Sequence, residues 1–184
     1  MVFEPKALDG KDELFIDQAA IGSNDKGRFS LYWSQAKPGQ LDAEPMSEKN
    51  LADTSIGASG APYNAWYTCP RNQAAACVLE PYFDEVAGKQ VLMTSIAFPL
   101  LSAGKVIGVM GVDISLDSLQ QLSLSAQQEL YNGAGHVNII SSAGLLAGHS
   151  RDASRLGESI NTVFTDQGAQ IKALVERGQA STIE

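Results

Sequence analysis

Positive charge, cysteine, histidine and long apolar runs are all scarce in this chain, and each shortage closes off a class of function. Lysine and arginine number 13 against 21 aspartates and glutamates, a formal charge of −8. Phosphate backbones and anionic lipids need clustered cations, so nucleic-acid and acidic-membrane partners are not expected. The longest apolar run, near Val106 to Val112, is far too short to cross a bilayer. No signal peptide is expected, since Met1 runs straight into Val2-Phe3-Glu4-Pro5. So abrupt a start reads as a piece of a larger protein. Catalytic motifs are missing too. His136 and His149 flank a hairpin pattern without a His-Glu-x-x-His or a paired cysteine, and no Gly-x-Ser-x-Gly elbow occurs. Gly104-Lys105 and Gly108 to Gly111 lack the spacing of a phosphate loop and read as turn and strand glycines. Asp9, Asp12 and Asp17 miss the calcium-loop spacing. No enzyme activity, metal or cofactor is expected.

What is present is enough for a core. The 184 residues are 44% hydrophobic, which suits one medium domain or two small ones. The two cysteines, Cys69 and Cys77, are spaced neither as a zinc pair nor as a redox pair. A disulfide between them would add roughly 2–3 kcal/mol and imply an oxidising compartment. Two free thiols in a reducing compartment is the other reading.

Periodicity outlines an α+β chain. Arg28 to Gln35, Trp66 to Thr68, Val78 to Tyr82, Gln90 to Leu101 and Lys105 to Ile114 read as strands, the last two joined by a turn at Ser102-Ala103-Gly104. Lys37 to Pro62 reads as a long loop with a helical turn at Ser47 to Asp53. A helix runs from Ser115 or Asp117 to about Tyr131, with Leu119, Leu122, Ala126 and Leu130 on one face. A second hairpin, Val137 to Ser141 and Leu145 to His149, leads to a last helix over Thr162 to Arg177. The expected division is 1–118 as a first module, 119–133 as a connecting helix, and 134–184 as part of a second module.

The stretch from Trp66 to Leu116 carries the most specific chemistry. Tyr82 and Asp84 are two residues apart and share one side of a strand. Asp113 ends an apolar strand, where a carboxylate needs a partner. Two such carboxylates beside Trp66, Tyr67 and Tyr82 suit an ammonium guest, through charge-assisted hydrogen bonds and cation–π contact of roughly 0.5–2 kcal/mol each. The residues alone slightly favour aromatic core packing, a turn at Asp84 and a helix cap at Asp113.

The run from Leu79-Glu80-Pro81-Tyr82 through Gly88-Lys89-Gln90-Val91-Leu92-Met93-Thr94-Ser95 and Pro99 to Gly104-Lys105-Val106-Ile107-Gly108-Val109-Met110-Gly111-Val112-Asp113-Ile114 resembles the double-Cache sensor domains of bacterial chemoreceptors. Earlier segments, Glu4 to Asp12 and Gly27-Arg28-Phe29 with Tyr32-Trp33, are similar as well, and Ser141 to Ile160 resembles the start of the membrane-proximal module. The resemblance implies a PAS-like Cache module with a central antiparallel sheet flanked by helices, followed by the start of a truncated second module. It implies an extracytoplasmic location, a homodimer in the whole receptor, and a small-molecule ligand in the first module. The family's long N-terminal helix has no counterpart here. In the amino-acid-binding motif of that family, Trp66, Tyr67, Tyr82, Asp84 and Asp113 keep their places, but Asn64 stands at the arginine that grips the carboxylate and Ser59 near an expected tyrosine. Neutral Asn64 cannot replace a bidentate arginine. The resemblance therefore points to an amine: choline-like, polyamine or biogenic. Amino acids (with Arg28 or Arg71 approaching from elsewhere), purines, and a sensor of a histidine kinase or cyclase are the alternatives. Asn64, Trp66, Tyr67, Tyr82, Asp84 and Asp113 are the implied site, with Tyr32 and Trp33 behind it.

Overall fold

Two apolar, β-branched runs within Lys89 to Ser115, broken once by a tight turn, form a long antiparallel hairpin. A computed structural model describes residues 1–37, 39–86 and 88–178. In chain order its elements are β1 (Val2–Phe3), β2 (Leu31–Lys37), β3 (Gln40–Pro45), α1 (Glu48–Leu51), α2 (Ala65–Gln73), β4 (Cys77–Val78), β5 (Tyr82–Val86), β6 (Lys89–Ser102), β7 (Lys105–Ser115), α3 (Asp117–Glu129), β8 (Asn138–Ile140), β9 (Leu146–His149), α4 (Ile160–Val163) and α5 (Gly168–Arg177), with short 3₁₀ turns between. Strands β1, β7, β6 and β4 lie side by side, and β5 also pairs with β6. The ribbons β2–β3 and β8–β9 stand apart from this sheet.

The β6–β7 turn uses Ala103 and Gly104 at positive φ (48° and 77°), the geometry a two-residue hairpin needs. Near the turn Leu101 faces Val106, but one step on Leu100 faces Gly108. The extra residue is a β-bulge, and it moves every later pair by one. Ser95 then lies opposite Asp113, and Met93 opposite Ser115. Gly108 allows β1 to come close, since a Cβ there would sit 2.6 Å from the Val2 carbonyl oxygen.

One face of the sheet meets α2 in a core of Val2, Leu51, Tyr67, Ala97 and Val109. A second cluster, Leu92, Leu116 and Ala147, joins the far end of the sheet to the C-terminal hairpin, with Leu119, Ile139 and Leu156 packed on it. There Gly148 lets α3 close on β9, and Gln120 grips the His149 backbone through both N–H and C=O. The opposite face of β6–β7, with Phe98, Met110, Val112 and Ile114, is exposed.

Several expectations change. Trp66 to Thr68 is not a strand but the first turn of α2. Aromatic strand propensity depends on context, and here burial of Tyr67 in the core prevails. The expected loop from Lys37 to Pro62 contains β3. Val78 to Tyr82 is split into β4 and β5, with the non-donating Pro81 between them. The last helix is divided into α4 and α5, where Gly168 approaches Asn161 too closely for a side chain. Residues 179–184, the end of the expected second module, lie outside the described residues.

Cys69 in α2 and Cys77 in β4 form a disulfide across a separation of 8 residues. Loop closure of that length is worth about 2.5 kcal/mol. Replacing both cysteines by alanine should lower the unfolding free energy by about that amount, measured by urea denaturation.

A half-buried ion pair ties Arg28 to Glu48. Arg28, 4% exposed, donates from Nε and one terminal nitrogen to Glu48 at 2.7 and 3.0 Å, and from the other to the Tyr67 hydroxyl at 3.0 Å. Tyr67 in turn donates to Glu4 at 2.6 Å, and Arg71 bonds the other Glu4 oxygen at 3.0 Å. Glu48→Ala strands the guanidinium and should cost about 3 kcal/mol in the same assay.

Candidate functional site

The side of the sheet flanked by β2 and α2 carries an open hollow of about 1090 Å³. Strand β5 supplies Tyr82 and Asp84 to it, β7 supplies Asp113, α2 supplies Trp66, and β2 supplies Tyr32 and Trp33. Tyr63, just before α2, closes one wall. Local chemistry explains each position. Tyr82 and Asp84 are i, i+2 on one strand. Trp66 is aimed by α2, whose start is tied to α1 because the Asn64 side chain donates to the Leu51 carbonyl at 2.9 Å.

The two carboxylates have separate phenolic partners. Tyr63 donates to both oxygens of Asp84, at 3.3 Å each. Ser95 donates to Asp113 at 2.6 Å, and the Tyr82 hydroxyl lies 2.6 Å from Ser95 and 3.4 Å from Asp113. Burial, and then the charge of Asp84, push the Tyr63 phenol up to about 12. Burial, followed by Asp113 and Asp84, does the same to Tyr32. Tyr82 is raised further by burial and by Asp113. All three phenols are therefore donors at neutral pH. The Asp84 carboxyl is raised above its ordinary value, chiefly by burial and in smaller part by Asp113 and Glu85, while the Glu85 amide and Tyr63 pull it down. Among the described residues neither Asp84 nor Asp113 forms a salt bridge.

The cations are elsewhere or at the rim. Arg28 and Arg71, the two arginines considered as partners for a ligand carboxylate, are held by Glu48 and Glu4. Lys37 and Lys89 line the outer part of the hollow. The Met1 ammonium also lines it and donates to the Leu31 carbonyl at 2.8 Å. Burial lowers its pKa, and the charge of Asp113 works the other way.

Of the residues implied by the sequence, Trp66, Tyr82, Asp84 and Asp113 come together on this hollow. Asn64 and Tyr67 do not line it. Asn64 is turned to Leu51, and Tyr67 is in the core with its hydroxyl held by Arg28 and Glu4. Tyr32 lines the hollow itself rather than standing behind it. Tyr63 and Ser95 were not foreseen. Tyr63 lies within the aromatic run that ends at Tyr67, which was a signal. Ser95 gave none, because only the bulge sets it opposite Asp113. A smaller apolar hollow of about 240 Å³ lies behind Tyr63 and Tyr82, which line both, and is bounded by Phe83, Leu92 and Gly157. No cluster of metal-ligating side chains and no helix long and apolar enough to cross a membrane occurs among the described residues.

Comparison with known proteins bears on this geometry. Residues 5–121 match the family model described as methyl-accepting chemotaxis protein-like, first PDC sensor domain. The chain is 60% identical over 180 residues to the methyl-accepting chemotaxis protein TlpQ of Pseudomonas aeruginosa, covering 98% of this chain and 25% of that protein. It thus spans about a quarter of that relative's length. A solved structure titled methyl-accepting chemotaxis protein X is 30% identical with a TM-score of 0.71, covering 97% of this chain and 58% of that one. The extracellular domain of a histidine kinase, mmHK1S-Z2, superposes with a TM-score of 0.75 at 23% identity, over 100% of this chain and 62% of that one, a likeness of fold. The antiparallel sheet with its flanking helices is the fold of these sensors, and this chain belongs to the methyl-accepting chemotaxis protein-like first PDC sensor domains, a family of non-enzymatic signalling modules.

Proposed function

We propose that this chain is the extracytoplasmic ligand-binding part of a chemoreceptor and that its ligand is a small organic amine. Residues 1–118 would form the sensing module, 119–133 its connecting helix and 134–184 part of a second module, with a homodimer in the whole receptor. One observation carries the reading: two carboxylates without salt-bridge partners among the described residues share a hollow with three protonated phenols and two indoles, and both nearby arginines are already neutralised. An ammonium would offset the cost of holding Asp84 and Asp113 charged in a partly desolvated space. Trp66, Tyr32, Tyr63 and Tyr82 would add their ring faces. Asn64 and Tyr67 would act indirectly, by fixing α2 and hence Trp66.

A thermal-shift and calorimetric screen of amines, amino acids and purines tests this. An amine should bind, and Asp113→Ala should weaken it about 10- to 100-fold, the worth of a hydrogen bond to a charged group. A hit confined to amino acids or purines overturns the amine assignment.

The acid limb gives a second check. With its pKa raised in the fold, Asp84 contributes stability to the free protein below its ordinary carboxylate value, and that contribution fades as pH climbs through the raised value. Amine binding has the opposite sign, because it needs the ionised form. Affinity should therefore fall on acidification, beginning above the ordinary carboxylate range, and Asp84→Asn should remove that part of the pH dependence. Calorimetry across pH reads both.

A further inference from the structure

Strand β5 shows different neighbours on its two faces. Tyr82 and Asp84 look into the large hollow, while Phe83 between them points to the opposite side. There it meets the C-terminal segment. A Cβ built on Gly157 would lie 2.5 Å from Phe83 Cε2, so the ring sits directly on the Gly157 backbone. Two residues before Tyr82, Glu80 Oε1 accepts a hydrogen bond from Ser142 in the turn between β8 and β9. Burial works against the charged Glu80 carboxyl, yet the polar groups of the Ser141 to Ala143 turn hold it below the ordinary range; Ser142 bonds Oε1, while Oε2 is buried without a hydrogen-bond partner among the described residues. Pro81, buried between Glu80 and Tyr82, stiffens the link because its ring fixes φ.

The receiving side is itself tightly built. Gly157 donates to the Leu146 carbonyl at 2.8 Å and Leu146 donates back to Glu158 at 2.9 Å, so the segment under Phe83 is locked to β9. Ile160 donates to Gly144 at 2.9 Å, and Ser159 caps α4, which leads into α5. A shift of β5 therefore bears on the β8–β9 turn and on the start of α4 through two separate contacts.

We propose that β5 is a mechanical link that carries the occupancy of the hollow to the C-terminal hairpin and α4, through Phe83 on Gly157 and Glu80 on Ser142. This rests on the amine-binding reading only for what fills the hollow. A state with a bound cation and a state without it would differ in how Tyr82 and Asp84 sit, and the coupling works equally in the reverse direction.

Amide hydrogen exchange on this chain tests the link, with putrescine as the soluble probe and Asp84→Lys as a tethered ammonium that needs no binding. Both should alter exchange at residues 141–147 and 157–160 by about fivefold or more, the low end of ordinary allosteric coupling. Combining either with Ser142→Ala and Phe83→Leu should cancel that distant change and leave the local change at 82–86. If Asp84→Lys does not fold, Asp84→Asn is used instead, since it removes the carboxylate charge that a bound ammonium would offset. Unaltered exchange at 141–147 and 157–160 overturns the link. So does a distant change that persists in the Ser142→Ala, Phe83→Leu background, which would route the coupling through α3. Failure of putrescine to bind, with the Asp84 variant still acting at a distance, counts against this diamine as the guest and leaves the link supported.

Discussion

The pairing of β6 with β7 is the constraint on which the molecule rests. This long hairpin is the spine of the sheet, and β1, β4 and β5 all attach to it. Its single bulge, between Leu100 and Leu101, decides which residues of the far half look toward α2 and which look away. Continued without the slip, the turn register would set Asp113 against Thr94. With it, Asp113 faces Ser95, which donates to it, and Tyr82 joins from the neighbouring strand. A site built from three strands thus depends on one extra residue several positions away.

Electrostatics divides the interior into two compartments. On one side of α2, Arg28, Glu48, Tyr67, Glu4 and Arg71 neutralise each other in a nearly closed network. On the other, Asp84 and Asp113 are held by hydroxyl donors. Hydroxyls stabilise a carboxylate but do not cancel its charge, so the second compartment keeps a net negative potential. The division runs through adjacent residues: Tyr67 serves the neutral side and Trp66 the charged one.

Much of this was legible in the sequence. Strand-like apolar runs and the Ser102-Ala103-Gly104 turn gave the main hairpin, and the Leu119, Leu122, Ala126 spacing gave the helix α3, although the face it buries carries Gln120 and Ser123 while Leu122 is exposed. The pairing of Tyr82 with Asp84 on one strand face followed from their spacing alone. What could not be read has physical reasons. Trp66-Tyr67 suits a strand by propensity, and only the tertiary core makes it a helix. Tyr67 lost its expected place at the hollow to a buried arginine 39 residues away in sequence, a partner no local pattern reveals. Strand β3 is exposed along most of its length, so it lacks the buried alternation that would have announced it.

The two phenols shared by the large and small hollows have a consequence for guest size. Tyr63 and Tyr82 are a partition with empty space on both sides rather than a wall backed by packed atoms. Moving that partition would break the hydroxyl bonds that pin it, Tyr63 to Asp84 and Tyr82 to Ser95. On the proposed reading, room for a guest on that side is therefore tied to the same hydroxyls that hold the two carboxylates.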